Sequence, residues 1–326
     1  MEKIIIYGVG KHFETTIMQS NYISNKMREY EIIGFIDQNK HGQGIAFHDK
    51  EYKVMTLKEW TDFNVDKVVV TPKKYIDEII KQLSDHGVRQ EQICLLDEIV
   101  EPFINDLLQI DSLKGKAGLE VGGPSGVFSK IYAACGSCDG VNFCEDTVWW
   151  KEEGNGRYLY EKQELGRVYI ADATDLNGIA SETYDFVLSS NNLEHIANPM
   201  KALSEFYRVA KKGSILIIAV PSKAVTFDHN RQFTAFEHLL EDYQKDTKED
   251  DLTHLPEILE QHDYDMDPGC GGREAFLLRA EKNYENRCLH HHVFNEECLI
   301  KMFEYFNIEV LEAEEMYGNY WIVGRK

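Results

Sequence analysis

Residues Leu119-Glu120-Val121-Gly122-Gly123-Pro124-Ser125-Gly126 decide the fold of this 326-residue chain. The end of an apolar strand runs into a glycine-rich turn, and the apolar-periodic segment from Val127 to Ala134 follows it. Glycine lets a backbone approach a bulky ligand, and a helix that begins after such a turn presents unpaired N–H groups toward it. The proline makes the loop rigid. The glycines stand at 122, 123 and 126, which is not the GxGxxG spacing of a dinucleotide-binding turn, so a nicotinamide-dependent reading is disfavoured.

Further elements follow in a βα rhythm. Val168 to Ala171 reads as a strand ending in Asp172-Ala173, with Asp175-Leu176 just beyond, and Tyr184 to Ser190 as a strand opening into Asn191-Asn192-Leu193-Glu194-His195. A helix from about Pro199 to Val209 leads through Lys211-Lys212-Gly213 to a strand from Ser214 to Val220, which Pro221 ends. Near the C-terminus, Glu296 to Phe306 has helical spacing. Ile308 to Leu311 reads as a strand, and Tyr320 to Val323 as its antiparallel neighbour after the turn Tyr317-Gly318-Asn319. Strands alternating with helices predict a parallel sheet with its ligands beyond the carboxyl ends of the strands.

This series resembles the class I S-adenosylmethionine-dependent methyltransferases over roughly residues 117 to 222. The likeness runs from the Glu120-x-Gly122 turn through Asp172 and Leu193-Glu194-His195 to Lys212-Gly213. The resemblance implies an α/β fold with a reversed terminal strand and S-adenosylmethionine as cofactor. It places Glu120 and Gly122 near the methionine part of the cofactor and Asp172-Ala173 beside the adenine, with Gly123, Gly126 and Asn191 also on the cofactor. The family usually has an acidic residue after the second strand to hold the ribose hydroxyls. Here that region reads Gly140-Val141-Asn142-Phe143-Cys144-Glu145, and Asn142 offers only an uncharged hydrogen bond.

Residues 1–100 read as a smaller Rossmann-like α/β domain, joined by a connecting segment at 101–116 to the larger domain at 117–326. Ile4 to Tyr7 is a strand, Gly8-Val9-Gly10 a tight turn, and a helix is expected from His12 through Met27. Strands follow at Glu31 to Ile36, ending in Asp37, at Val65 to Val70 and at Ile93 to Leu96, with a helix from Lys74 to His86. The stretch resembles small domains that accompany sugar-modifying enzymes of bacterial polysaccharide clusters. A ligand role and a structural role are both open for its glycine turn.

Lysine and arginine number 35 against 56 acidic residues, a formal charge of −21. So acidic a surface repels phosphate backbones and anionic lipid, so neither nucleic acid nor membrane insertion is expected. The N-terminal apolar run Ile4 to Tyr7 is too short for a signal-peptide core, and a cytoplasmic location is expected. Cys135 and Cys138 form a lone CxxC among seven scattered cysteines, for which ordinary thiols are expected.

Residues 223–294 form an insertion before the last helix, expected to cover the acceptor side of the pocket. It is polar and rich in histidine. His229 and His238 are the candidate catalytic bases, since histidine takes a proton near neutrality. Arg231 and Arg273, with His195 from the preceding motif, are candidates for acceptor binding. The run His290-His291-His292 suggests a divalent metal, but adjacent strand residues point to opposite faces, so at most two of them could combine with Asp228 or His254. The expected acceptor is a small polar molecule, a sugar or nucleotide-linked sugar. The alternative is a cofactor-binding scaffold or regulatory protein in a polysaccharide biosynthesis assembly.

Overall fold

The computed structural model describes residues 1–152 and 154–326. It contains two compact units, residues 1–106 with 315–317, and residues 107–314 with 318–326. Among the described residues, no helix is long and apolar enough to cross a membrane. All seven cysteines are free thiols.

The smaller unit is built on strands β1 (Glu2–Tyr7), β2 (Tyr30–Ile36), β5 (Lys67–Val70) and β6 (Ile93–Leu95), in the order β2-β1-β5-β6. All three pairings are parallel. A hairpin of β3 (Gly44–Phe47) and β4 (Lys50–Lys53), which has no clear signature in the sequence, follows β2. Ile5, Val68 and Leu83 are fully buried in its core. The expected helix from His12 to Met27 is instead broken into an α turn at Lys11–Phe13, a π turn at Glu14–Met18 and a second helix at Asn21–Lys26. Local side-chain bonds compete with the helix ladder here. Thr15 Oγ1 donates to the Lys11 carbonyl at 2.9 Å, and Ser20 Oγ caps the second helix by accepting from Ile23 N at 3.1 Å. In the turn after β1, the Asp37 carboxylate accepts from Val9 N at 2.8 Å and from Asn39 N at 2.8 Å.

The larger unit carries an eight-stranded sheet in the order β13-β14-β12-β11-β7-β8-β10-β9. Its strands are β7 (Ala117–Val121), β8 (Ser137–Asn142), β9 (Arg157–Tyr160), β10 (Gln163–Ile170), β11 (Tyr184–Ser190), β12 (Ala210–Pro221), β13 (Glu309–Met316) and β14 (Asn319–Arg325). The central pairs are parallel, whereas β14 runs antiparallel to β12, the reversed terminal strand expected from the sequence. The β9–β10 hairpin was not foreseen; it adds an antiparallel edge to the sheet. Alternation fails on β7, β11 and β12 because both faces are covered, so these strands read as continuous apolar runs. Leu119, Val187, Ile218, Phe206 and Ile322 share one buried cluster. The helix Pro199–Val209 has the bounds expected of it, because Asn198 caps Lys201 N at 3.0 Å and proline opens the first turn.

The insertion has a small core of its own, made of Leu255, Ile258, Phe276 and Leu289 with their neighbours. Its main helices are Phe236–Lys245, Leu255–Gln261 and Arg273–Ala280.

Candidate active site

The carboxyl ends of β7, β8, β10 and β11 open onto a solvent-connected cavity. Its wall contains Gly122, Gly123 and Pro124 after β7, Asn142 and Phe143 after β8, Asp172 and Ala173 after β10, and Asn191, Asn192 and His195 after β11. Trp149, Trp150, Glu249 and Arg287 close the remaining sides.

Gly122 has φ +86°, and a Cβ there would lie 2.4 Å from Asn192 Cγ. A side chain at this position would therefore meet Asn192. A Cβ on Gly123 would lie 2.2 Å from the Glu120 carboxyl carbon. The tightness of this loop is therefore set by residues underneath and beside it. Asn142 works in the same way, its amide donating to the Gly123 carbonyl at 3.0 Å while the side chain borders the cavity. Gly126 is outside the wall and opens the short helical turn Gly126–Phe128.

Glu120 has a different task from the one expected of it. Its side chain is fully buried and outside the cavity wall. Oε1 accepts from Ser125 N at 3.0 Å, and Oε2 from the hydroxyls of Tyr132 at 2.5 Å and Tyr158 at 2.8 Å. Burial pushes its pKa up to about 7, against the opposing pull of these donors. The carboxyl thus anchors the glycine loop from below.

Asp172 is in the wall, but its carboxylate is already engaged. Oδ1 accepts from Thr174 N at 2.9 Å, and Oδ2 lies 3.1 Å from Arg287 Nη2. The other guanidinium nitrogen is 2.7 Å from Glu249 Oε2. Arg287 therefore bridges two acidic groups from separate segments, and its cation lies over the Phe143 ring at 5.3 Å. Burial raises Glu249 to about 7 despite this arginine. Sequence reasoning missed Arg287 and Glu249, and no local signal marks them: Arg287 lies 115 positions from its partner Asp172. The pair Trp149-Trp150, two large aromatics in a polar stretch, was a signal left unused.

His195 is in the wall, as expected for an acceptor-side residue. Its Nδ1 is 3.2 Å from the Leu289 carbonyl, which can only accept, so Nδ1 carries the proton and Nε2 the lone pair. Burial, reinforced by the neighbouring His290, holds its pKa well below the ordinary histidine value. The rings of Trp149 and His290 lie 4.8 and 4.6 Å from it. Burial works against charge on His290 as well, but Asp228, 2.5 Å from its Nδ1, holds that imidazole above its usual pKa.

Four expectations for the insertion are corrected. His229 is exposed, pairs with Asp263 at 2.7 Å and is not in the wall. His238 is also outside the wall, 3.0 Å from His254 Nε2. Arg231 is 1% exposed, and its guanidinium is taken up by Asp228, Glu257 and the carbonyls of His290 and His291, leaving it a structural tie rather than an acceptor contact. Arg273 is exposed, bonded to the Leu259 carbonyl and likewise outside the wall. The insertion does reach the cavity, through Glu249 and Arg287.

Residues 119–218 match the family described as methyltransferase domain, and residues 1–94 the family described as C2185-like, N-terminal. No curated protein matches the chain. Among solved structures, an S-adenosylmethionine-dependent methyltransferase from Aquifex aeolicus is 15% identical, with 77% of this chain and 99% of that chain covered at a TM-score of 0.38. One from Mesorhizobium loti is 11% identical, with 70% and 97% covered and a TM-score of 0.42. The N-methyltransferase NodS from Bradyrhizobium japonicum, in complex with S-adenosyl-L-homocysteine, is 11% identical, with 69% and 86% covered and a TM-score of 0.39. The stretch matched to the methyltransferase domain begins in β7 and ends in β12, so it spans all four strand ends that open onto the cavity.

Proposed function

We propose that the chain, an S-adenosylmethionine-dependent methyltransferase, methylates a small polar acceptor in the cytoplasm, a sugar or a nucleotide-linked sugar. The observation that carries this reading is the cavity at the carboxyl ends of the parallel strands, with a glycine loop on one side and an aromatic, hydrogen-bonding wall on the other. The residues fit the cofactor: Gly122 and Gly123 keep the loop free of side chains, and Asn142, Asp172, Ala173 and Asn191 offer polar atoms and backbone along the same wall. When bound, S-adenosylmethionine supplies an electrophilic methyl group on a sulfonium.

The chain's own residues then handle the acceptor. Trp149 and Trp150 present flat apolar faces of the kind that stack on a sugar ring, while Asn191, Asn192 and His195 give hydrogen bonds to hydroxyls. His195 takes the role first expected of His229 or His238. Its Nε2 lone pair is the base that accepts the acceptor's proton, and its low pKa keeps that lone pair free below neutral pH. The smaller unit contributes to acceptor choice rather than to cofactor affinity, a reading that rests on its likeness to domains beside sugar-modifying enzymes.

The test is calorimetric titration with S-adenosylhomocysteine, followed by transfer of labelled methyl from S-adenosylmethionine to a panel of sugars, nucleotide-linked sugars and unrelated small amines. Binding together with label on a sugar hydroxyl supports the reading. Label confined to a compound without a sugar refutes the acceptor class, and binding without turnover across the panel favours the scaffold.

A further inference from the structure

One side-chain cluster in the larger unit is used neither by the cavity nor by the core. His238, Asp242, His254 and His292 each offer one donor atom, and the four atoms lie within 4.8 Å of one another. None of these residues is in the cavity wall. His238 and Asp242 are four apart on the helix Phe236–Lys245, hence on one face of it. His254 stands just before the next helix, Leu255–Gln261, and His292 arrives from the far end of the insertion.

The contacts inside the cluster do not satisfy its members. His238 Nε2 faces His254 Nε2 at 3.0 Å, so two groups of the same kind meet and only one can donate. Asp242 Oδ2 is 3.2 Å from His238 Nε2 and 3.9 Å from His292 Nε2, yet it is buried without a hydrogen-bond partner. His292 Nε2 donates to the Ala197 carbonyl at 3.2 Å, so its Nδ1, buried and unpartnered, carries the lone pair. Buried polar atoms are almost always bonded, so a group of them converging on one point indicates something that bonds to all.

We infer that this cluster is a divalent transition-metal site, with Zn²⁺ as the ion it fits. Three imidazoles and one carboxylate form a closed four-donor set. In tetrahedral zinc with bonds of 2.0–2.1 Å, donor atoms stand about 3.4 Å apart; His238 Nε2 lies 3.0 Å from His254 Nε2 and 3.2 Å from Asp242 Oδ2, and the four residues' donors all lie within 4.8 Å of one another. The neighbouring groups orient the donors in the usual way for such sites. Thr247 Oγ1 donates to the other Asp242 oxygen at 2.9 Å, and Asn198 Nδ2 donates to the Asp242 carbonyl at 2.9 Å. His238, with 38% of its side chain exposed, leaves the ion a way in.

The function of the ion follows from what it joins. It ties the helix Phe236–Lys245 to His254 and to His292, and the intervening loop carries Glu249, whose Oε1 accepts from Ala197 N at 3.2 Å on its way to the cavity. His292 Nε2 lies 3.2 Å from the carbonyl of the same Ala197. The metal is thus a structural clip that shapes one wall of the cavity, with no role in methyl transfer itself.

The test uses the full chain without a histidine tag, stripped by a chelator and returned to metal-free buffer. Titration with Zn²⁺ by calorimetry and with Co²⁺ by visible absorption should give one equivalent of each, with the intense bands of tetrahedral Co²⁺. His238→Ala removes a half-exposed donor that the core does not need, and Asp242→Asn keeps the shape of the carboxylate. Each should weaken Co²⁺ binding by more than about 100-fold, since loss of a mere supporting contact already costs 10–100-fold. Thermal midpoints of both variants without metal show that they fold. Absence of a one-equivalent site, the weak bands of octahedral Co²⁺, or unchanged affinity in the two folded variants would each overturn the inference. So would binding that survives in both and is lost in His290→Ala, which would place the ion among Glu194, His195 and His290 instead.

Discussion

Replacing Gly122 with alanine tests how the cofactor loop is held. At φ +86° an L side chain is strained, and leaving the right-handed region costs roughly 1–2 kcal/mol. The added Cβ would also stand 2.4 Å from Asn192 Cγ and 2.7 Å from Asn192 Cβ, so the Asn192 side chain has to rotate away. That movement breaks its bond to Ser189 Oγ, 3.3 Å long, for a further cost of about 0.5–1.5 kcal/mol. Together these terms predict a loss of roughly 1.5–3.5 kcal/mol in folding stability. Asn192 is itself in the cavity wall, so its displacement should also weaken S-adenosylhomocysteine binding, by about tenfold if the intrusion costs about 1.4 kcal/mol there. Urea unfolding followed by near-ultraviolet circular dichroism measures the first quantity, and calorimetric titration the second. A variant within about 0.5 kcal/mol of the parent, binding S-adenosylhomocysteine with the same affinity, would refute both the strain and the Asn192 contact.

Other outcomes follow from the same geometry. Glu120 sits with its pKa raised from its ordinary 4.5 to about 7, so the stability it contributes is full below pH 4.5 and lost as pH rises toward 7. Because Glu120→Gln cannot ionise, the stability difference between variant and parent should move by about 3 kcal/mol in the variant's favour from pH 4.5 to 8; a pH-independent difference in chemical denaturation contradicts a buried, ionisable Glu120. Arg287→Ala leaves Asp172 and Glu249 facing the cavity without their shared cation and should lower stability by about 3 kcal/mol, read by denaturant titration. His195→Asn should reduce turnover by roughly 10²-fold while sparing S-adenosylhomocysteine affinity, and the parent should hold its rate as pH falls through 6.5, the ordinary histidine value, because His195 titrates well below it. His229→Asn removes a surface pair with Asp263 and should change stability by no more than about 1 kcal/mol and turnover not at all; a large fall in turnover would return His229 to the site.

The larger unit was legible in the sequence because its signals are local. The apolar runs of β7, β11 and β12, the glycine turn at Gly122 and the cap and proline at Asn198-Pro199 each act within a few residues. The reversed pairing of β14 followed from the turn at Tyr317-Gly318-Asn319 and the apolar run after it. The residues Gly122, Gly123, Asn142, Asp172, Ala173, Asn191 and His195 were named by the resemblance to the class I methyltransferases, and the structure places them in one cavity wall because a parallel sheet puts its strand ends on one edge.

What the insertion does was decided only in three dimensions. A histidine's role depends on what lies within about 3 Å of it, and the sequence does not say that His229 meets Asp263 at the surface or that His238 meets His254. Arg231 has the charge of an anion binder, yet it is buried with four of its N–H donors taken up by Glu257, Asp228 and two backbone carbonyls. Arg287 and Glu249, unremarkable in the sequence, became cavity residues because a separate small core at Leu255, Ile258 and Phe276 folds the insertion and brings Asp172 within reach. Periodicity and turn chemistry determine elements and their order, whereas the pairing of charges across a hundred residues is settled by how those elements pack.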